Sequence, residues 1–329
     1  MVLESLSNFK KAEKHPVMLF FVAFITTTLA MFVSYTIFPA SSSILTIAFI
    51  ALVFMPIMHT LFIEEEEQEV EERDTPFSFI STHFDVIHIY SWIFIGLVFT
   101  YAFWTVILPD TNTDCEGVGC NVPTKEKIFA EHNNVYSNIT GKIIGETECF
   151  NSNTKSFTNC FELIFLNNSW IMILAVLFSL LWGAGALFLL SWQASVVGFF
   201  IGNEILANSL ESGIARAISY LPHGIPEIMA YFVAAIAGGI ISAAISKSSF
   251  KKHELGVVLV DTVLLILLAF VTLFIGAFIE TAEIFGHWEI ATLGVGAFGA
   301  LYMVLYVPAV RYRVRKLRRH LRGKIVEEI

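Results

Sequence analysis

LGVVLVDTVLLILLAFVTLFIGAFI, residues 255–279, carries a single charge, Asp261, in its whole length. A helix of about 20 apolar residues crosses a ~30 Å hydrocarbon core, so this stretch reads as a membrane span. Seven further stretches outward from it read the same way: 17–38, 43–63, 86–108, 169–190, 192–208, 222–246 and 287–309. The weakest is 192–208, which is short, contains Gln193 and Ser195, and reads as a tilted or re-entrant helix. The first span follows Lys10, Lys11 and Lys14. At about 22 residues it exceeds the 7–15 of a signal-peptide apolar region, so it is expected to be retained as a helix.

The composition agrees. Of 329 residues, 56% are apolar, 31 are Phe and only 15% are charged. A typical soluble domain has about 25% charged residues. This much apolar surface excludes a soluble globule, a disordered chain, a collagen-like fibre and a cytosolic enzyme. The net charge of −9 argues against a nucleic-acid partner. The expected fold is all-α: a polytopic integral membrane protein of about eight transmembrane helices with one extracytoplasmic, disulfide-linked loop. The chain divides into an N-terminal segment (1–16), a two-helix N-terminal extension (17–85), a six-helix membrane domain (86–309, with its loop at 109–168) and a basic tail (310–329).

Lys and Arg accumulate on the cytoplasmic side of membrane proteins. With a cytoplasmic N-terminus and eight spans, fifteen of the twenty basic residues fall inside, eight of them in the tail from Arg311 to Lys324. Lys125, Lys127, Lys142, Lys155 and Arg216 fall outside. Both termini are therefore expected in the cytoplasm, and the chain in the cell membrane. The run EEEEQEVEERD (64–74) is also expected inside, as a solvated extension or as an electrostatic partner of the basic tail. The tail reads as positive-inside anchoring or as a contact with anionic lipid headgroups.

All four cysteines, Cys115, Cys120, Cys149 and Cys160, lie in the 109–168 loop. Outside the cell disulfides persist, so two bridges are expected, with three connectivities open. The alternative is a metal site built on the Cys115/Cys120 pair, but no second pair matches it. Of the Asn-x-Ser/Thr sequons, Asn138 is the glycosylation candidate, and Asn167 lies too close to the membrane edge.

The segment NEILANSLESGIARAISYLPHGIPE (203–227) leads from the fifth span into the sixth. Pro222 suits the first turn of a helix. His223 and Glu227, four apart, project from one face. Small residues then recur at four-residue spacing (Ala230, Ala234, Gly238, Ser242, Ser246), a pattern that lets another membrane helix approach closely. Glu204, Arg216, Glu280, Glu283, His287 and Glu289 fall at the same level, and Asp261 lies apart. Ionisable groups within membrane spans are functional candidates by default. His223 and Glu227 are half of a metal site at most, so no metal or cofactor is expected. The sequence lacks GxSxG, HExxH and Walker A motifs, so nothing signals an enzyme.

At YLPHGIPEIMAYFVAAIAGG (220–239) the sequence resembles the stage II sporulation protein M family, whose hallmark is a Pro-His-Gly-x-x-Glu run followed by a helix rich in small residues. The matching positions are Pro222, His223, Gly224 and Glu227. Upstream, LLWGAGALFLLSWQASVVGFFIG (180–202) is similar to the family's Gly-rich helix, with Gln193 and Ala194 where the family has Asn-Gly, and Gly198 matching a later Gly. Glu280 resembles the acidic residue that closes the family's penultimate span. The resemblance covers roughly 86–309 and is to archaeal-type members. With it the candidate polar cluster is His223, Glu227, Glu280, Gly224, Pro222 and Gln193, joined by Arg216 from the connecting segment at the same level. The resemblance also implies a non-enzymatic scaffold that presents the outer loop and helix ends to partners, since in spore-forming bacteria the family member recruits peptidoglycan-degrading proteins. The expected partners are membrane lipids, membrane or cell-envelope proteins and a second copy of the chain. A transporter or permease subunit is the alternative, suggested by the polar residues and the weak fifth span, and an intramembrane hydrolase using His223 and Glu227 is the third.

The orientation predicts that, after reduction, a membrane-impermeant maleimide labels Cys115, Cys120, Cys149 or Cys160 in intact cells. Labelling that requires permeabilised cells would reverse the topology.

Overall fold

The computed structural model describes residues 17–71, 78–110, 123–135, 156–246 and 252–327. Its helices are α1 (Val17–Ile37), α2 (Ser42–Glu71), α3 (Ser78–Ile107), the single turn α4 (Lys125–Ile128), α5 (Phe157–Trp182), α6 (Ala186–Ala207), α7 (Leu210–Ser246), α8 (Lys252–Ile284) and α9 (Trp288–Glu327). All but α4 contain a stretch long and apolar enough to cross a membrane, eight in total among the described residues.

The helices stop where the sequence forbids continuation. Pro39 opens a 3-10 turn between α1 and α2. Pro109 follows α3. Gly183 ends α5 at φ 65°, and Gly286 follows α8 at φ 72°, conformations that glycine adopts without a Cβ clash.

Side-chain pairs fix the directions. Phe20 and Ala23 lie against Gly96, and Trp104 Nε1 donates to Thr28 Oγ1 at 3.0 Å, so α1 and α3 run parallel. Gly198 meets Val98, and Gly202 meets Thr105, so α6 runs with them. Asn168 meets Glu227, and Ser179 meets Gly238, so α5 and α7 are parallel. His223 meets Glu283 while Glu227 meets Gly276, so α8 opposes α7. The eight spans thus alternate in direction, and the start of α1 and the far end of α9 share one end of the bundle.

A single main core runs from Leu19 to Leu273, and α1 and α2 belong to it: the Phe62 ring of α2 lies over Gly239 of α7. Large apolar side chains such as Phe21, Leu29, Trp170 and Leu293 face outward at 58–73% exposure, as lipid-facing surface requires.

Several sequence boundaries change. The fourth span is Phe157–Trp182 rather than 169–190, because Gly183 breaks the apolar run in its middle. The fifth is a 22-residue helix, long and apolar enough to cross a membrane, because it starts at Ala186 and includes the residues assigned to the fourth. Helix α7 begins at Leu210, so Pro222 and Pro226 lie inside it rather than at its start. Each proline removes one backbone hydrogen bond. The helix continues through both into residues Ala230 to Ala237, which are packed on every side. Cys115, Cys120, Cys149 and Asn138 lie outside the described residues, as do the side chains of the acidic run and the basic tail. No disulfide joins two described residues; Cys160 is fully buried in the first turn of α5 and is not a free thiol.

A Cβ at Gly238 would sit 2.4 Å from the Val176 carbonyl oxygen and 2.8 Å from Ser179 Cβ, both on α5. Gly238→Ala should therefore cost about 1–3 kcal/mol of stability in an SDS titration from mixed micelles. Gly296→Ala, which meets nothing within 4 Å, should be neutral or stabilising.

Candidate functional site

Three helices deliver polar side chains to one buried place. Helix α7 contributes His223 and Glu227, one turn apart on one face. Helix α8 brings Glu280 and Glu283 from its last turn, and α5 brings Asn168 from three turns inside, about 16 Å along the helix from Phe157. The approach is close because Gly276 of α8 has no side chain. A Cβ there would lie 2.7 Å from Glu227 Cγ and 3.3 Å from the His223 carbonyl oxygen.

The contacts pair off across helix boundaries. His223 Nδ1 lies 2.6 Å from Glu283 Oε2, with 15% and 12% of the two side chains exposed. Asn168 Nδ2 donates to Glu227 Oε1 at 2.8 Å. Glu227 and Glu280 are hydrogen-bonded to each other. Tyr231, the next turn of α7, lies within electrostatic reach of both. Tyr220 packs its ring edge against His223 at 5.9 Å and against Phe200 of α6 at 5.2 Å.

Chemically, the arrangement is a set of interhelical polar clasps. Three carboxyl groups face one imidazole, so the group cannot neutralise itself through ion pairing alone. Among the described residues no group of three or more His, Cys, Asp or Glu side chains is set to hold a metal ion.

Of the candidates from sequence, His223, Glu227 and Glu280 come together. Pro222 and Gly224 flank them on α7, and nothing lies within 4 Å of a Cβ built at Gly224. Gln193 sits half-buried on α6. Arg216 lies on the exposed side of α7, where its Nε is 3.8 Å from Glu204 Oε2. Glu280 neighbours Glu227, while the carboxylate within hydrogen-bond distance of His223 is Glu283. Sequence reasoning missed Asn168 and Gly276. Asn168 could have been found from the string of polar residues Asn159, Glu162, Asn167, Asn168 and Ser169 once the span was started at 157.

A family model described as stage II sporulation protein M matches residues 17–282, and the chain belongs to that family. The match takes in α1 and α2 and stops within the last turn of α8. No curated protein and no solved structure matches the chain.

Removing the Glu227 carboxyl leaves Asn168 and Glu280 without a partner in a buried setting. Glu227→Ala should therefore lower stability by about 1–3 kcal/mol. Glu227→Gln keeps an acceptor for Asn168 and a donor for Glu280 and should be clearly milder. Arg216→Ala, at an exposed and long ion pair, should stay within about 0.5 kcal/mol. Unfolding of the three variants in mixed micelles checks the ranking.

Proposed function

We propose that this member of the stage II sporulation protein M family is a non-enzymatic scaffold of the cell membrane. In this reading both termini face the cytoplasm, and the connection between α3 and α5, bridged through its cysteines, faces outward. The loop and the neighbouring helix ends form the surface that partner proteins of the membrane or cell envelope dock on. The observation that carries the reading is the closed form of the polar cluster. Asn168, Glu227 and Glu280 form one bonded set and His223 and Glu283 another beside it, across three helices, which suits a clasp that holds a platform rigid. The excess of basic residues on the assigned inner side supports the orientation.

A transporter is the second reading, favoured by one observation: three buried carboxyl groups share the cluster with one imidazole, and such groups inside membranes often relay protons.

Two measurements separate the readings. Crosslinking and affinity capture of the intact protein from its native membrane should recover defined envelope partners in near-stoichiometric amount, and replacing residues 111–122 by a Gly-Ser linker should lose them. Proteoliposomes loaded with a pH-sensitive dye should show no more proton flux with the protein than with Glu227→Gln. Flux that depends on Glu227, without recoverable partners, would replace the scaffold by the transporter.

A further inference from the structure

Between α3 and α5 the chain re-enters the bundle. Thr124 caps α4 by accepting from the Lys127 N–H, and the Lys125 N–H donates to the Pro109 carbonyl at 2.9 Å. Ser42 and Ser43, at the start of α2, donate their hydroxyls to the Lys127 and Ile128 carbonyls at 3.0 and 2.7 Å. Ile128, Phe129 and His132 are each at most 1% exposed, so one face of this short polar segment is buried as deeply as any span.

His132 is the buried titratable group of the segment. Its ring stacks on Trp192 at 5.1 Å and packs against Tyr101, Phe129 and Phe199 at 5.4–5.7 Å. Its Nε2 lies 2.7 Å from Ser195 Oγ, and that hydroxyl donates its own proton to the Trp192 carbonyl at 2.7 Å. The Ser195 oxygen therefore accepts from Nε2–H, and the neutral ring carries its lone pair on Nδ1. Nδ1 is buried and makes no hydrogen bond. A second proton would place an unpaired N–H and a full charge inside an aromatic box. The groups of α3 and α6 packed on the ring include no carboxylate to pair with it: α3 presents Tyr101, and α6 presents Trp192, Ser195 and Phe199. On the segment itself, Lys125 is paired with Asp110, while Glu126 and Glu131 point to solvent.

We propose that residues 124–135 are a retractable plug, latched by His132 to Ser195, which is seated while the imidazole is neutral and withdrawn when it is protonated. Burial pushes His132 down to about 4 from its ordinary 6.5. Withdrawn into water, the ring regains its ordinary value. The seated form thus has its full advantage above pH 6.5 and loses it as the pH falls towards 4, about tenfold per unit.

Hydrogen–deuterium exchange of the full-length protein in nanodiscs, corrected for the intrinsic pH dependence of exchange, tests this. Amides of 124–135 should open ~30-fold more at pH 5.0 than at pH 7.5, a factor set by the one and a half units below 6.5. Protection across 230–240 in α7 should not change. His132→Gln keeps an N–H donor for Ser195 but cannot titrate, so its exchange should be equal at the two pH values. Equal exchange in the natural protein would overturn the proposal without any variant, and so would a pH response that survives in His132→Gln.

Discussion

Two apolar helices in lipid gain nothing by hiding apolar surface, because the hydrocarbon around them is as apolar as they are. What holds them is how closely their backbones approach. In this bundle the approach is made at glycines: Gly238 against the Val176 carbonyl, Gly239 under the Phe62 ring, Gly198 against the Val98 carbonyl, and Gly276 against Glu227. Helix α7 uses two of these and lies at the centre, with every residue from Ala230 to Ile240 buried. The polar cluster depends on the same contacts. Asn168 and Glu283 reach α7 only because α5 and α8 lie against it without intervening side chains. The clasp is therefore a product of helix packing as much as a cause of it.

Much of this was legible in the sequence, and the reasons are particular. Eight long apolar runs announce eight spans by length alone. The small-residue rows after Glu227 announce a tightly packed helix, since such rows serve no purpose on a lipid-facing surface. Boundaries were harder. The apolar run from Ile171 to Gly202 has no charge, so only the φ 65° conformation of Gly183 divides it. Sequence places that division several residues late, and the error spreads to both neighbours. Pro222 misled in the same way, because proline reads as a helix start when flanking packing is unknown.

The site was half legible. The spacing of His223 and Glu227 identifies one face, and the rarity of Glu280 and Glu283 in an apolar helix marks them as partners. Which carboxylate meets which nitrogen depends on the register of α7 against α8, and a single turn separates Glu280 from Glu283. That register is set by where Gly276 admits Glu227, a three-dimensional fit with no one-dimensional trace. His132 was invisible for another reason. It stands in a polar loop, where a histidine is ordinarily solvated, and only the hydroxyls of Ser42 and Ser43 and the aromatic rings around Ser195 show that the loop turns inward.

The tight turn at Gly183 also bears on how the chain is made. Helix α6 is the least apolar of the eight candidate spans and α5 is more so, and they are joined by three residues, Gly183 to Gly185. A helix of marginal apolarity partitions poorly from the translocation channel into lipid by itself. With so short a link, α6 cannot linger in water after α5 has entered the membrane, so the two insert as one helical hairpin. The short geometry of that turn thus serves the making of the helix that carries Ser195 and Trp192, before any tertiary contact of the finished bundle exists.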